Sequence, residues 1–278
     1  MSPRSSRISG GPFPWTHTPF RGRSSITRRR PSEMSRCLVF LAVGFLWWWG
    51  ASLAGSPLLL PYPQAVLQRF LEMQGWPLWS DVLHSGFKVL AVLLIVGFLG
   101  VFLGVLLGLN PRLYEAIRPL VISIQAVPAI SWLGGVVLVL GTGWRAPVLI
   151  AVLVFLPTAL FVTVSGVQGL EREILEMAEV YGVRGWKRWR YLYAGALVPC
   201  VRVVVETIAG GAWKTVLVTE YLCGSSGVGV RIAWARQTAD VEAAYALSLL
   251  AVLLGLGCEF LLRRSAEALG RRWRLYST

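Results

Sequence analysis

Charge and histidine are what this chain has least of. Only 15% of its 278 residues are charged, against about 25% in a soluble domain. It has 2 histidines, His17 and His84, and 4 cysteines, Cys37, Cys200, Cys223 and Cys258, scattered without a C-x-x-C pair. That inventory excludes a zinc site at the usual His/Cys spacing and any Ser/His/Asp or Cys/His catalytic set. The cysteines read as small apolar residues. Nowhere does the sequence hold G-x-x-x-x-G-K-[ST]; "GGAWKT" at 210–215 imitates its end, but Trp213 stands where glycine is required. The chain therefore carries no ATP site of that kind, and no metal or other cofactor is expected on it.

What the chain has instead is apolar length. It is 55% hydrophobic with 13 Trp and a mean hydropathy of +0.60. A spanning helix needs about 20 apolar residues, and six runs qualify: 37–53, 87–109, 120–140, 147–167, 197–222 and 243–262. The third is interrupted by Gln125, Pro128 and Ser131, and the fifth carries Arg202, Glu206 and Lys214. Their length argues for helices, because barrel strands alternate over about 10 residues. The expectation is an all-α integral membrane protein of about six transmembrane helices.

The net charge of +13 would suggest nucleic acid if it were spread over a soluble face. Here it lies in blocks between apolar runs, so no nucleic-acid partner is expected. With both termini inside, the cytoplasmic segments hold 20 basic residues and the outer ones 4, the asymmetry that orients spans. Residues 1–36 read as a disordered basic cytoplasmic extension, 37–265 as the transmembrane domain, and 266–278 as a cytoplasmic tail. A signal peptide ending near "SLAGS", an arginine run on anionic lipid, or a start at Met34 are the alternatives for the leading segment. After the first span, "SPLLLPYPQAVLQRFLEM" places Val66, Phe70 and Met73 at helical spacing, an amphipathic helix at the outer interface.

Within the spans, Gly100, Gly104 and Gly108 recur every four residues and form a smooth face for close helix packing. Gln125, Pro128 and Ser131 lie a turn apart and line a path, or else mark a kink that neighbours satisfy. Pro157 beside Thr158 raises the same two readings. Arg202 and Glu206 pair at i,i+4. Lys214 and Glu220, toward the outer end, are further path candidates; Lys214 either snorkels or attracts an anion.

The segment "LEREILEMAEVYGVRGWKRWRYLY", within a loop at 170–195, is acidic first and basic later. Ile174, Ala178 and Tyr181 share one face of its first helix, Gly182 stops it, and a second helix starts near Trp186 with Lys187, Arg188 and Arg190 at headgroup level. Such a helix either packs on the bundle or docks on a soluble partner.

Glu176-Met177-Ala178 followed after three residues by Gly182 resembles the E-A-A-x-x-x-G opening of the cytoplasmic loop in permease subunits of bacterial ABC importers. "LPYPQAVLQ", "GVLLGLNPRLYEAIRPL", "TEYLCGSSGVGVRI" and "LLRRSAEALGRRW" are similar to the nitrate/sulfonate/taurine/bicarbonate subgroup, over roughly 60–273. The resemblance implies a type I importer permease fold in the bacterial inner membrane. It also implies a second permease copy, two ATPase subunits holding ATP and Mg, and an extracytoplasmic binding protein. The loop would couple to the ATPase through Glu176, Ala178 and Gly182, with Tyr181 and Arg184 beside them, and the solute would be small and anionic. Ala194-Gly195 stand where the family has Leu-Pro, which predicts a less sharply broken second helix. An ion-gradient-driven secondary transporter is the competing reading, and it requires buried carboxylates such as Glu206 or Glu259.

Overall fold

The computed structural model describes residues 33–170 and 172–274, and every described regular element is a helix. The chain divides into two compact units, Met1–Phe45 and Leu46–Thr278. The first contributes the start of α1 (Glu33–Ala54), whose Leu38, Leu41 and Phe45 are exposed. The expected basic extension lies almost wholly outside the described residues.

In the second unit, α2 (Pro63–Glu72) begins with proline in its first turn, where the missing N–H costs nothing. Val66 is its buried residue, and Phe70 and Met73 pack on a cluster built around Leu78, Ala243 and Leu247. Helix α3 (Trp76–Leu109) starts eleven residues earlier than its apolar run, because Gly75 and Pro77 set its first turn. Among the described residues, four helices are long and apolar enough to cross a membrane: α3, α6 (Arg145–Gln168), the continuous Trp186–Cys223 stretch, and α11 from Val241. The apolar stretch found within the described part of α1 is Leu41–Ala54.

The third expected span is not one helix. It is α4 (Pro111–Ala126) and α5 (Ala129–Leu140), bent by 94°. Pro128 lacks an N–H and pushes Val127 to extended backbone, φ −78° and ψ 123°, so the ladder stops there. Gln125 and Ser131 consequently sit on different helices and share no face. The fifth span also differs from its expected bounds. Helix α7 (Arg172–Val180) ends five residues before α8 (Trp186–Arg188), from which a π-helical turn over Trp189–Tyr193 and α9 (Ala194–Cys223) follow without a break. With alanine and glycine at 194–195, no proline stops the helix, and the π turn leads directly into α9. Helix α10 (Val228–Gln237) has no counterpart in the sequence reading, and the last helix is α11 (Val241–Arg274).

The core is the three-helix contact of α3, α6 and α9. Val92 and Val96 meet Ala151 and Ala159, and Ile208, Ala212 and Val216 close the third side. A Cβ on Gly100, Gly104 or Gly108 would fall 2.5, 2.5 or 2.7 Å from the Cβ of Ala159, Thr163 or Val167. The glycine stripe of α3 is thus spent on α6 within the same subunit, letting the two backbones approach. Trp213 donates its indole N–H to the Ala251 carbonyl at 2.8 Å, and Gly255 leaves room for the ring, which ties α9 to α11.

Candidate functional site

Three places hold polar chemistry. The first is the loop that opens with α7. Tyr181 N–H donates to Met177 O, Gly182 N–H to Glu179 O at 3.1 Å, and Val183 N–H to Ala178 O at 2.8 Å. The last two bonds, with Gly182 at φ +69°, make a Schellman stop that satisfies the final carbonyls. Gly185, φ +60°, turns the chain again into α8. The face drawn from sequence is split: Ala178 is 6% exposed, whereas Tyr181 is 78% exposed and Ile174 and Met177 are open beside it. Ala178 therefore packs inward, and Met177, Val180 and Tyr181 form an apolar surface that the described residues leave exposed. Arg184 and Glu176 are exposed as well. A cavity of about 490 Å³ lies behind the loop, lined among others by Tyr114, Glu115, Arg118, Leu175 and Tyr193.

The second place is a buried charge cluster at the opposite end of α9. Glu220 is 1% exposed and so is Lys88, and Lys88 Nζ lies 2.7 Å from Glu220 Oε1. Lys88 also donates to the Ser226 carbonyl at 2.5 Å. Ser85 Oγ donates to Glu220 at 2.8 Å and accepts from Val228 N–H at 2.9 Å, and Gly229 N–H donates to Glu220 at 3.1 Å. Next to it, Asp81 pairs with Arg231 and accepts from Gly227 N–H at 3.0 Å. Asp81, Ser85 and Lys88 stand at i, i+4 and i+7, one face of α3. The loop between α9 and α10 can close on Glu220 only because it is glycine-rich. A Cβ on Gly227 would fall 2.4 Å from Glu220 Oε1, and one on Gly229 2.6 Å from Glu220 Cβ. With every charge paired, the cluster binds α3, α9 and α10 together. Glu220, a path candidate in the sequence, is 1% exposed and engaged within this cluster. An adjoining pocket of about 500 Å³ is lined by Arg69, Asp81, Arg231, Trp234 and Asp240.

The third place is Lys214. Six residues turn a helix by about 600°, so Lys214 and Glu220 face directions about 120° apart on α9. Lys214 is exposed and makes no hydrogen bond or ion pair among the described residues. It lines a groove of about 190 Å³ between α5 and α9, with Ala129, Ile130, Leu133, Thr215 and Val218. It also lines one of about 310 Å³ between α9 and α11, with Trp213, Leu256 and Glu259. Gln125, Pro128 and Ser131 are exposed around the α4–α5 break.

Sequence reasoning passed over Lys88, Ser85, Asp81 and Arg231. The Asp81–Ser85–Lys88 spacing was the available signal, but their partners lie 132 to 150 residues away. Among the described residues, no group of three or more His, Cys, Asp or Glu could hold a metal ion.

Residues 97–275 match the family described as binding-protein-dependent transport system inner membrane component. The chain is 27% identical over 255 residues to the taurine transport system permease protein TauC of Escherichia coli K12, covering 87% of this chain and 91% of TauC. It is 29% identical over 210 residues to the riboflavin transport system permease protein RibX of Chloroflexus aurantiacus, covering 74% and 78%. The aliphatic sulfonates transport permease SsuC of Escherichia coli K12 is 28% identical over 238 residues, covering 84% and 89%. In fold, the chain is similar to an inward-facing MetNI methionine ABC transporter chain, with a TM-score of 0.52 at 15% identity, covering 70% of this chain and 99% of that one.

Proposed function

The chain belongs to the family of binding-protein-dependent transport system inner membrane components, and from that premise we propose that it forms the membrane pathway of an ATP-driven importer of small organic anions. Two copies of the chain line the route, two ATPase subunits carry ATP and Mg below them, and a binding protein delivers solute from outside. Both termini and the 170–195 loop face the cytoplasm of a bacterial cell. The solute class, alkanesulfonates and taurine, is supported by the names of two relatives. The riboflavin relative marks how far permeases of similar sequence diverge in cargo.

The observation that carries the reading is the α7 loop. Its Schellman stop holds a short helix rigidly, its apolar side at Met177, Val180 and Tyr181 is exposed among the described residues, and the chain then continues as one helix from Trp186 to Cys223. A displacement of α7 by an ATPase groove is thereby passed to α9 through the five-residue turn 181–185. Glu176, Ala178, Gly182, Tyr181 and Arg184 form the coupling surface. Ion-gradient coupling draws on buried carboxylates; Glu206 and Glu259 are partly exposed and paired with basic neighbours one turn away, and Glu220 is sealed against Lys88, which favours the importer.

Gly182→Val tests the coupling role. Nothing lies within 4 Å of the added Cβ, so the substitution acts only through the left-handed backbone, at about 1–2 kcal/mol. The expected result is a folded permease that loses copurification with its ATPase and loses uptake. Unchanged copurification and uptake would remove the loop from the mechanism.

A further inference from the structure

Helix α9 ends at Cys223, and at 1.5 Å per residue Lys214 lies about 14 Å before that end, inside the apolar stretch Trp186–Cys223. A charge inside a span faces a water-filled cavity or a partner, and this one has no partner among the described residues. Its two grooves are not equivalent. The α9–α11 groove contains Glu259, already engaged by Arg263 at 2.8 Å, and its carboxylate repels anions. The α5–α9 groove has no carboxylate in its lining. Its walls are apolar apart from the ammonium and the hydroxyls of Thr215 and Thr219, and the Thr219 hydroxyl is committed to the Thr215 and Val216 carbonyls. The first residues of α5 after the 94° break, Ala129 and Ile130, line the same wall, which adds the positive end of a helix to the field of the lysine.

We infer that the α5–α9 groove around Lys214 is an anion site on the translocation route, receiving the sulfonate or carboxylate head of the solute through the Lys214 ammonium. The inference rests on the reading of this chain as an importer permease and deepens it, assigning the recognition of charge to one residue of the pathway. An ammonium offers three donors without fixed geometry, enough to attract a passing anion without the bidentate grip that would hold it.

The test uses the whole importer, with its ATPase and binding protein, in proteoliposomes, and taurine and ethanesulfonate as probes. Lys214→Arg keeps the charge, and kcat/KM for uptake stays within about threefold of the wild type. Lys214→Gln lowers it by about 10- to 100-fold, the size of a lost charge-assisted hydrogen bond, and Lys214→Glu lowers it further. In a second measurement, acylation of Lys214 by acetic anhydride, read by peptide mass spectrometry, is slowed by ethanesulfonate and not by neutral dimethyl sulfone. Wild-type uptake of the sulfonates with Lys214→Gln and Lys214→Glu unchanged overturns the site and leaves the solute class standing. If the wild type imports neither probe, the solute class falls, and the acylation measurement decides the site: protection upholds it, and its absence overturns it.

Discussion

Lys88 and Lys214 are the same residue type in the spans of one bundle, and they have opposite surroundings. Lys88 is 1% exposed and bonded to Glu220 and to the Ser226 carbonyl. Lys214 is exposed on α9 and meets no acceptor in the described chain. A sealed ion pair at the end of three helices fixes their relation to one another, because breaking it strands a charge. An open cation in a groove fixes nothing in its own fold, so its use lies in what arrives from elsewhere. Lysine in a membrane helix thus carries no single meaning; the partner supplied by the rest of the chain decides it.

The largest effect that could break this contrast is on stability. Lys88→Met leaves Glu220 buried without a counter-charge and costs about 3–5 kcal/mol. Lys214→Met removes an unpaired charge and costs nothing on the same assay. The measurement is the thermal midpoint and the folded yield of the detergent-solubilised permease. Adding Glu220→Gln to Lys88→Met restores most of the loss, since the amide keeps a hydrogen-bonding group for Ser85 and Gly229. Equal midpoints for Lys88→Met and Lys214→Met would erase the distinction.

A smaller effect sharpens it by reaching the seal without touching a charge. Gly227 has φ +116° and would place a Cβ 2.4 Å from Glu220 Oε1. Gly227→Ala combines backbone strain with that clash, at about 2–3 kcal/mol. The same substitution at Gly134, where nothing lies within 4 Å and the residue is inside α5, is neutral or slightly stabilising in the monomeric permease. If the two alanine variants melt together, the glycine-rich loop is not what closes over Glu220.

The four long helices are legible in the sequence because apolar length in a membrane protein is a direct physical requirement. The stop at Gly182 is legible for a similar reason, since a left-handed terminus calls for glycine. Pairings across the fold are not. Lys214 and Glu220 look alike in sequence as path candidates, but the partner of Glu220 is 132 residues away on α3. Pro128 is ambiguous for a different reason. A proline in a span either kinks a helix or ends it, and neighbours decide: Pro157 is buried and α6 continues through it, whereas Pro128 is exposed and the helix breaks. The start of α3 at Trp76 is hidden because its first turns mix Trp, Ser, Asp and His, a composition that periodicity of hydropathy cannot assign.

Between the sealed pair and the open cation stands a third arrangement, Arg69 with Asp240, half-exposed at the same end as the Lys88 cluster. Arg69 Nη2 lies 2.6 Å from Asp240 Oδ2, with side-chain exposures of 38% and 29%. The Arg69 hydrogen bond holds the Asp240 carboxyl below the usual aspartate range, partial burial opposes it, and the Ala243 N–H, 3.0 Å from Oδ1, adds to the lowering. A depressed carboxyl contributes stability that is complete above the ordinary aspartate value, about 4, and disappears as pH falls through the depressed one. Asp240→Asn retains an N-capping oxygen for α11 and removes only the charge. Solvent screens the pair, so at neutral pH the substitution costs about 0.2–1 kcal/mol, the smallest change of the series. The difference between wild type and Asp240→Asn shrinks as pH drops below about 4 and shrinks with added salt at neutral pH. The Lys88→Met deficit stays at full size in salt, because no solvent ion reaches Glu220. A salt titration of both variants separates exposed from sealed charge on one axis, and parallel salt dependence would mean that the Lys88–Glu220 cluster is open to water.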